Sequence, residues 1–476
     1  MAAERVHDRG DLFIDGGWET PDQYIDVTDL AEGGIFTRVA AATPAQAETA
    51  LEAAHEVKSS MRETTVVERT QWLDTIANAI EARRDEFVEA IVREAGKPIT
   101  AARGEVDAAI ERFDRAIEEA RNLKGEYREG TTAGHEGWRS VVKPEPVGTV
   151  LTITPYNYPL STTSLHVAPA LAAGNSVILK PASKTPVSAS ILAECISEAD
   201  LPEGAFNFVP GHGSEIGDLL AGDDRINAIA MTASSPAGKH VASVSGMVNL
   251  HMELGGNAPA VVFPDADLDE VANACTKGSF KYAGQRCSAV SRVLAHETIH
   301  DDVVDLIEAR MDGWKSGDLF DESTTFGPLI DESQAAWVEE LVDDAVDRGA
   351  SLVRGGERDG RFFEPTLLAR VPHDARIIEE EQFGPVAVVT QFGDEDEALA
   401  LANTGDLALD AAVFTKDYDR AFRFAEQIDT GSVRVNGAPS HGLGDIPFGG
   451  NRDSGIGREG IGVSIESFIR KKSIIL

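Results

Sequence analysis

The sequence predicts an α/β protein with two open, mostly parallel sheets and a small additional β element. β-prone runs alternate with helical patterns from about Lys143, a second such series starts near Ala258, and an all-helical stretch precedes both. Strands that alternate with helices are joined by right-handed crossovers, so the strands lie parallel and helices cover the sheet. A chain of 476 residues has room for about two to four domains.

The first series follows a helical region. Apolar residues recur at helical spacing between Pro44 and Arg121. The β-prone runs that follow are 147–154, 176–180, 205–209 and 226–231. The helices predicted between them are 161–173, 188–199 and 214–221.

The second series contains the β-prone runs 291–295, 386–390 and 411–415. The division between the two domains is expected near Leu254-Gly255-Gly256, so residues 1–122 with 147–254 form one domain and 255–445 the other. Segments 123–146 and 462–476 contain a predicted hairpin and a β-prone end. An unpaired strand edge is a hazard, and a partner subunit would cover it, so we expect a homodimer or homotetramer.

Acidic residues dominate the charge of the chain. Asp and Glu number 80 against 43 Lys and Arg, which gives a formal charge of −37. Nucleic-acid recognition needs a clustered cationic face, so the composition argues against such a partner. An acidic surface stays hydrated among dense counterions, which favours a salt-adapted (halophilic) source; an ordinary acidic mesophilic enzyme is the alternative.

The chain carries no recognisable leader or membrane segment. Residues Met1–Gly10 lack an apolar core, and the longest apolar stretches, such as Val167–Ala173, fall far short of the roughly 18 residues of a membrane helix. Three cysteines leave one unpaired in any disulfide scheme. We expect a reduced, cytoplasmic protein without a membrane partner.

One cysteine is a candidate nucleophile. Cys287 lies in a turn of small residues next to Arg286, and a neighbouring cation or helix N-terminus lowers the pKa of a thiol. A buried apolar role is the alternative for a lone cysteine. Cys195 and Cys275 lie in apolar helical patterns, and we interpret both as core residues.

Two further polar residues are candidates for catalysis. Glu253 is embedded between apolar residues and glycines, where desolvation raises the pKa of a carboxyl group toward the range of a general base; a turn-capping role is the alternative. Asn157 directly follows a predicted strand, at the end of the sheet where α/β proteins bind ligands. Its amide can donate to an oxyanion or form an Asx turn.

Taken together, six segments resemble motifs of the aldehyde dehydrogenase superfamily, in the order of that superfamily and across nearly the whole chain. The segments are Thr154–Leu160, Gly174–Pro181, Glu253–Gly256, Gly284–Cys287, Glu381–Pro385 and Pro447–Gly450 with Ser454-Gly455. Among its members, the similarity is to the non-phosphorylating glyceraldehyde-3-phosphate, lactaldehyde and semialdehyde dehydrogenases. The resemblance implies two Rossmann-like domains, with residues 1–122 and 147–254 binding NAD(P), 255–445 carrying catalysis, and 123–146 with 462–476 serving oligomerisation.

The resemblance also implies a mechanism. Cys287 attacks an aldehyde carbonyl, Asn157 holds the oxyanion of the thiohemiacetal, and hydride passes to the nicotinamide. Glu253 then activates the water that hydrolyses the thioester. A CoA-acylating semialdehyde dehydrogenase and a non-catalytic relative are the alternatives; the presence of Glu253 and Cys287 argues against both.

The same resemblance implicates residues in cofactor and substrate binding. Lys180 is expected on the adenine ribose, Ser234 on the pyrophosphate, and Glu381 with Phe383 at the nicotinamide ribose. The remaining residues expected in cofactor binding are Thr154, Pro155, Ser183, Lys184 and Gly213. The residues expected near the substrate are Arg286, Tyr158 and Phe448.

Two positions depart from the superfamily pattern. Ala233 replaces a common glycine beside Ser234, which adds a methyl group near the pyrophosphate. Ser183 stands where NAD-preferring members often have Glu, and with Lys184 this favours acceptance of NADP, with NAD also possible as cofactor.

Substrate and metal expectations follow from single residues. Arg286 either faces the aldehyde and favours an anionic substrate or pairs with a surface acid. The 11 histidines show no ligand-spaced cluster in the sequence: His240 and His251 stand apart, and His441 lies beside glycines. We therefore expect no metal.

Overall fold

In the computed structural model, the chain forms two large β-sheets that helices cover, and a smaller third sheet. The structure describes residues 11–440 and 446–476. Met1–Gly10 and His441, which entered the sequence analysis, lie outside the described residues.

The strands are β1 (Leu12–Ile14), β2 (Gly17–Glu19), β3 (Gln23–Thr28), β4 (Ile35–Ala41), β5 (Glu126–Glu129), β6 (Arg139–Pro146), β7 (Thr149–Ile153), β8 (Ser176–Lys180), β9 (Phe206–Phe208), β10 (Ala228–Thr232), β11 (Asn249–Glu253), β12 (Ala258–Val262), β13 (Val290–His296), β14 (Ser351–Arg354), β15 (Arg358–Asp359), β16 (Phe362–Phe363), β17 (Thr366–Ala369), β18 (Val386–Phe392), β19 (Leu407–Ala408), β20 (Asp410–Phe414), β21 (Ser432–Val435), β22 (Asn451–Arg452), β23 (Gly455–Ile456) and β24 (Ile469–Ile475). The helices are α1 (Pro44–Glu56), α2 (Lys58–Glu63), α3 (Val66–Ala82), α4 (Arg84–Ala95), α5 (Ile99–Asn122), α6 (Ser161–Ala172), α7 (Val187–Ser197), α8 (Asp218–Ala221), α9 (Ser235–Val244), α10 (Leu268–Phe280), α11 (His300–Met311), α12 (Glu332–Asp347), α13 (Arg376–Glu379), α14 (Glu395–Ala402), α15 (Tyr418–Gln427) and α16 (Ile461–Ser467). A π-helical turn spans Gly213–Gly217 and a 3₁₀ turn spans Lys281–Gly284.

The predicted helical region contains α1–α5. Capping boxes begin two of these helices, since Thr43 with Gln46 and Thr65 with Glu68 satisfy the free N–H groups of α1 and α3. Helix α5 buries one face against the first sheet's helices. Within the described residues, no helix combines the length and the apolar character needed to cross a bilayer.

The first large sheet has the strand order β2-β1-β9-β8-β7-β10-β11-β23. Its five central strands are parallel, and β1, β2 and β23 extend it by antiparallel pairing. All four β-prone runs predicted in this region form strands, and the fold class is confirmed. The sequence analysis missed the hairpin of β1 and β2, although its Asp15-Gly16 turn, with φ of 51° and 77°, carries a recognisable signal.

The second large sheet has the order β14-β17-β18-β13-β12-β20-β21. Its strands are parallel apart from β14, which pairs antiparallel with β17. The three runs predicted in this half form β13, β18 and β20. Strands β11 and β12 are separated only by Leu254–Asn257, so this short turn carries the chain from one sheet to the other.

The third sheet has the order β24-β6-β5. The C-terminal strand β24 pairs antiparallel with β6 of the same chain from Ile469 opposite Pro146 to Ile475 opposite Ser140. Asn175 anchors this pair, because its amide accepts from Gly148 N at 2.9 Å and donates to Phe468 O at 3.0 Å. The small sheet is thereby tied to the first large sheet.

Candidate active site

A cavity of about 1250 Å³ lies where the two large sheets meet. Ten residues predicted for the site line it: Thr154, Pro155, Asn157, Tyr158, Ser234, Glu253, Arg286, Cys287, Glu381 and Phe383. Most of them lie at or beyond the carboxyl ends of β7, β10 and β11, as expected for an α/β sheet. Residues far apart in the chain therefore converge on one space.

Five predicted residues do not line this cavity: Lys180, Ser183, Lys184, Gly213 and Phe448. Lys180 and Ser183 lie beside its wall, because Ala182, between them in the sequence, is a lining residue. Phe448 is buried, and its backbone pairs with Glu459, which does line the cavity. Its substrate role stays a prediction.

An unusual backbone precedes Cys287, the candidate nucleophile. Tyr282, Ala283 and Gly284 all adopt left-handed conformations, with φ of 55°, 51° and 71°. Such residues cost free energy and persist only where their surroundings hold them. The Tyr282 hydroxyl donates to Ala95 O at 2.7 Å, and Asn157 Nδ2 donates to Gln285 O at 2.9 Å. These bonds secure the loop before Cys287.

Arg286 lowers the pKa of the Cys287 thiol as expected, but the expectation that the thiol has a lowered pKa is wrong. Burial and the charges of Glu253 and Glu459 raise the pKa of the Cys287 thiol well above its usual value, and Arg286 opposes them with a smaller effect. The reason is that the thiol shares its enclosed space with two carboxylates. Cys195 and Cys275 are buried in α7 and α10, as predicted.

Glu253 ends β11 and is buried. Burial raises its pKa well above the usual value, as expected, and the charge of Glu459 adds to the effect. A hydrogen bond between the Cys287 thiol and the Glu253 carboxylate acts in the opposite direction. The acid is therefore placed to accept a proton from the thiol or from a water molecule beside it.

Two glycines allow the chain segments of the site to approach closely. A Cβ atom on Gly256 would stand 2.2 Å from Cys287 O, and one on Gly255 would stand 2.6 Å from Glu381 Oε2. Gly256 N donates to Glu381 Oε1 at 2.9 Å. Burial raises the pKa of Glu381 to about 7, and this hydrogen bond opposes the shift.

Helix α9 points its N-terminus toward the cavity. Ser234 is its N-cap, and the Ser234 side chain makes no capping bond, so the hydroxyl and the first N–H groups are available for an anion. The neighbouring Ala233 also lines the cavity. The expected position of its methyl group near a pyrophosphate stays a prediction.

Two lysines lie on the side of β8. Lys180 is buried, and desolvation lowers its pKa to about 8. Its amine has one long contact among the described residues, with Pro181 O at 3.5 Å. Lys184 is half exposed and forms an ion pair with Asp331 of the second half of the chain. The sequence could not show this pairing, because the partners are far apart in the chain.

Several cations at the cavity escaped the sequence analysis. Lys97, Arg112, Lys277 and Lys281 line it together with Arg286. The charges of Lys281 and Arg286 contribute to lowering the pKa of Lys97, although its burial contributes more. Lys97 pairs with Glu105, whereas no carboxylate in the described part of the chain lies within ion-pair distance of Arg286. The structure thus favours the cavity-facing alternative for Arg286.

Known proteins are similar to this chain in sequence and in architecture over nearly their full lengths. The profile of the aldehyde dehydrogenase family matches residues 18–474. A 3-sulfolactaldehyde dehydrogenase of Priestia aryabhattai is 35% identical over 467 residues, which cover 98% of this chain and 97% of that protein.

Two solved structures are similar throughout. The NADP-dependent glyceraldehyde-3-phosphate dehydrogenase of Bacillus halodurans C-125, complexed with NADP, has a TM-score of 0.97 at 33% identity and 99% coverage of both chains. Aldehyde dehydrogenase 21 of Physcomitrella patens, in complex with the reaction product succinate, has a TM-score of 0.94 at 34% identity and 98% coverage of both chains. With a matching profile and relatives of this similarity, the chain belongs to the aldehyde dehydrogenase family.

Proposed function

We propose that this enzyme oxidises an aldehyde that carries an anionic group to the carboxylic acid, with NADP or NAD as the hydride acceptor. The observation that carries the proposal is the convergence of Cys287, Glu253 and Asn157 on one cavity, with Glu381 and Ser234 on its walls. A nucleophile, a base and an amide donor are the groups that acyl chemistry needs.

The residues of the cavity fit a nicotinamide dinucleotide. The free N-terminus of α9 at Ser234 suits a pyrophosphate, and the buried amine of Lys180 is short of partners among the described residues. Glu381, held by Gly256, offers carboxylate oxygens to a ribose. When bound, the nicotinamide supplies the acceptor for hydride.

In the first step, the Cys287 sulfur bonds to the carbonyl carbon of the aldehyde. The thiol proton passes to Glu253, which already shares a hydrogen bond with it. The carbonyl oxygen becomes an oxyanion, and the Asn157 amide can donate its second N–H there while the first remains on Gln285 O. The thiohemiacetal then loses hydride and becomes a thioester.

In the second step, water cleaves the thioester. Once Glu253 has passed the thiol proton to solvent, it removes a proton from the water and the carbonyl carbon gains hydroxide. The carbon–sulfur bond then breaks and Glu253 returns its proton to the sulfur, which releases the acid and the Cys287 thiol. A burial-raised pKa makes Glu253 a stronger base than an exposed carboxylate. Its position beside the nucleophile favours hydrolysis over transfer of the acyl group to CoA.

An anionic substrate is supported by the cations around the aldehyde end of the cavity. Lys97, Lys281 and Arg286 lie close together: Lys281 and Arg286 lower the pKa of Lys97, and Arg286 lowers the pKa of Lys281. Such a cluster is unusual in a chain of formal charge −37. Two of the relatives are named for aldehydes with an anionic group, 3-sulfolactaldehyde with a sulfonate and glyceraldehyde-3-phosphate with a phosphate. The third is in complex with succinate, a carboxylate. A guanidinium group recognises all three anions.

Each segment of the chain has a separate role in the proposed enzyme. We assign cofactor binding to residues 1–122 and 147–254, catalysis to 255–445, and assembly to 123–146 and 462–476. A cytoplasmic location and a salt-adapted source remain predictions from composition.

Replacing Glu253 with Gln is expected to lower turnover by about 10²–10⁴-fold, because water is no longer activated, while the thiol proton can still leave to solvent and the thioester still forms, more slowly. A single burst of reduced cofactor, equal to the number of active sites, should precede the slow phase. Mass spectrometry of the intact chain should then show acylated Cys287. The exposed Glu52→Gln serves as control. Full turnover by Glu253→Gln, or by Cys287→Ser, would overturn the mechanism.

Replacing Arg286 with Leu is expected to raise KM for aldehydes that bear a carboxylate, sulfonate or phosphate by about 10–100-fold, the value of one or two charge-assisted hydrogen bonds. KM for propanal should stay unchanged. Steady-state kinetics of both substrate types measure the difference, with Arg38→Leu, at an exposed ion pair, as the matched control. An equal effect on propanal contradicts the substrate proposal.

Replacing Ser183 with Glu is expected to lower kcat/KM for NADP by about tenfold or more and to spare NAD, because a carboxylate repels a 2′-phosphate and accepts ribose hydroxyls. The parent enzyme should accept NADP at a comparable kcat/KM to NAD or better. Ser197→Glu, on the exposed end of α7, is the control. A strong preference of the parent for NAD refutes the prediction.

We further propose that the third sheet mediates assembly into a homodimer or homotetramer. It exposes Tyr127, Val141, Ile474 and Ile475, which are 42–60% accessible. Apolar patches on strand edges mark interfaces. Light scattering should report a multiple of 50.8 kDa, reduced by Val141→Glu and unchanged by Ile35→Glu, at an exposed position elsewhere. A parent chain that remains monomeric at micromolar concentration contradicts the proposal.

A further inference from the structure

Behind the catalytic residues, three potential metal ligands meet. His166 of α6, His251 of β11 and Glu459, which precedes α16, each offer one donor atom, and these three atoms lie within 4.8 Å of one another. All three side chains are buried, with at most 3% exposure. The expectation that His251 stands apart is wrong, since its ring centroid is 6.0 Å from that of His166.

His251 is the unusual member of this cluster. Neither of its ring nitrogens has a hydrogen-bond partner within the described ranges 11–440 and 446–476, although only 2% of the residue is exposed. Leaving a buried polar group without a partner destabilises a protein. The His166 ring stands perpendicular to His251 on one side, and the Phe468 ring lies 5.8 Å away. His251 therefore offers one of its unpartnered nitrogen atoms to the space it shares with the other two ligands.

The electrostatic surroundings favour a cation there. Glu459 and Glu253 are both buried acids, and both line the same cavity. Arg112 of helix α5 is a buried cation that lines the same cavity. A cation held between the imidazoles and Glu459 would relieve the repulsion between the carboxylates.

We propose that His166, His251 and Glu459 bind one divalent first-row transition-metal ion of the Zn²⁺ type. Two imidazoles and one carboxylate suit such an ion, whereas Mg²⁺ and Ca²⁺ prefer sites made of oxygen alone. Donors at roughly 2.0–2.1 Å from Zn²⁺ stand about 3.4 Å apart, so binding requires the ligand atoms, which lie within 4.8 Å of one another, to approach by up to about 1.4 Å.

The residues around the ligands support the site. His166 Nε2 lies 2.8 Å from Thr232 Oγ1, which fixes the orientation of the ring in the way that outer-shell partners do in metal centres. Glu459 lines the cavity, so an ion can enter through it. The inference does not rest on the proposed oxidation, because the ion is bound by residues outside the Cys287–Glu253 pair.

The test is a titration of the full chain with Zn²⁺ alone, without aldehyde or nicotinamide cofactor. The protein carries Cys287→Ser, which removes the competing thiol of the cavity. Calorimetry should show one tight site per chain, and Co²⁺ in its place should give the visible absorption of a site with nitrogen ligands.

Adding His251→Leu should weaken this binding by about a hundredfold or more, since loss of a ligand costs more than loss of an outer-shell partner. Adding Glu459→Gln should weaken it too, which guards against a folding defect in one variant. His240→Asn is the matched control, because His240 is exposed and paired with Asp218. Absence of a tight site, or equal binding after His251→Leu, would overturn the proposal and leave the oxidation chemistry untouched.

Discussion

The close contact between the Leu254–Asn257 turn and the nucleophile loop is the constraint on which the site depends. Gly256 leaves space for the carbonyl of Cys287, and its own N–H holds Glu381. In the same turn, Leu254 N donates to Ser454 O at 2.9 Å. A side chain at Gly256 would push apart the candidate base, the candidate nucleophile and a candidate ribose ligand at once, because this one crossing between sheets positions all three.

Burial determines the chemistry as much as residue identity does. The cavity raises the pKa of both Cys287 and Glu253, so neither group ionises readily by itself. In the proposed mechanism, their hydrogen bond lets one give its proton to the other without a charge leaving for solvent. Arg286 is then left for its proposed contact with the substrate.

Much of the fold was predictable because strands and helices leave local periodic signals. β-prone runs such as 147–154 and 176–180 predicted strands of the eight-stranded sheet. Six motifs in the expected order indicated the family. Short strands such as β1 and β2 escaped because their pairing depends on distant neighbours. The pKa of Cys287 was misjudged since local sequence shows Arg286 but not the enclosure or Glu459.

Contacts between residues that only the fold brings together could not be predicted from their spacing in the sequence. The Lys184–Asp331 ion pair and the meeting of His166 with His251 bridge segments with no common pattern. Their partners come from different elements, whose relative placement is set by packing. Sequence reasoning detected Asn157 and Glu253 because each follows a strand or borders glycines, which are local features.

The left-handed run from Tyr282 to Gly284 has a consequence for how the sulfur is aimed. Cys287 reaches the cavity because the main chain doubles back immediately before it, and distant anchors at Ala95 and Asn157 keep that bend in place. The position of the Cys287 sulfur thus depends more on the backbone conformation before it than on the choice of side-chain rotamer. Substitutions in α4 or after β7 can misdirect the thiol without touching it.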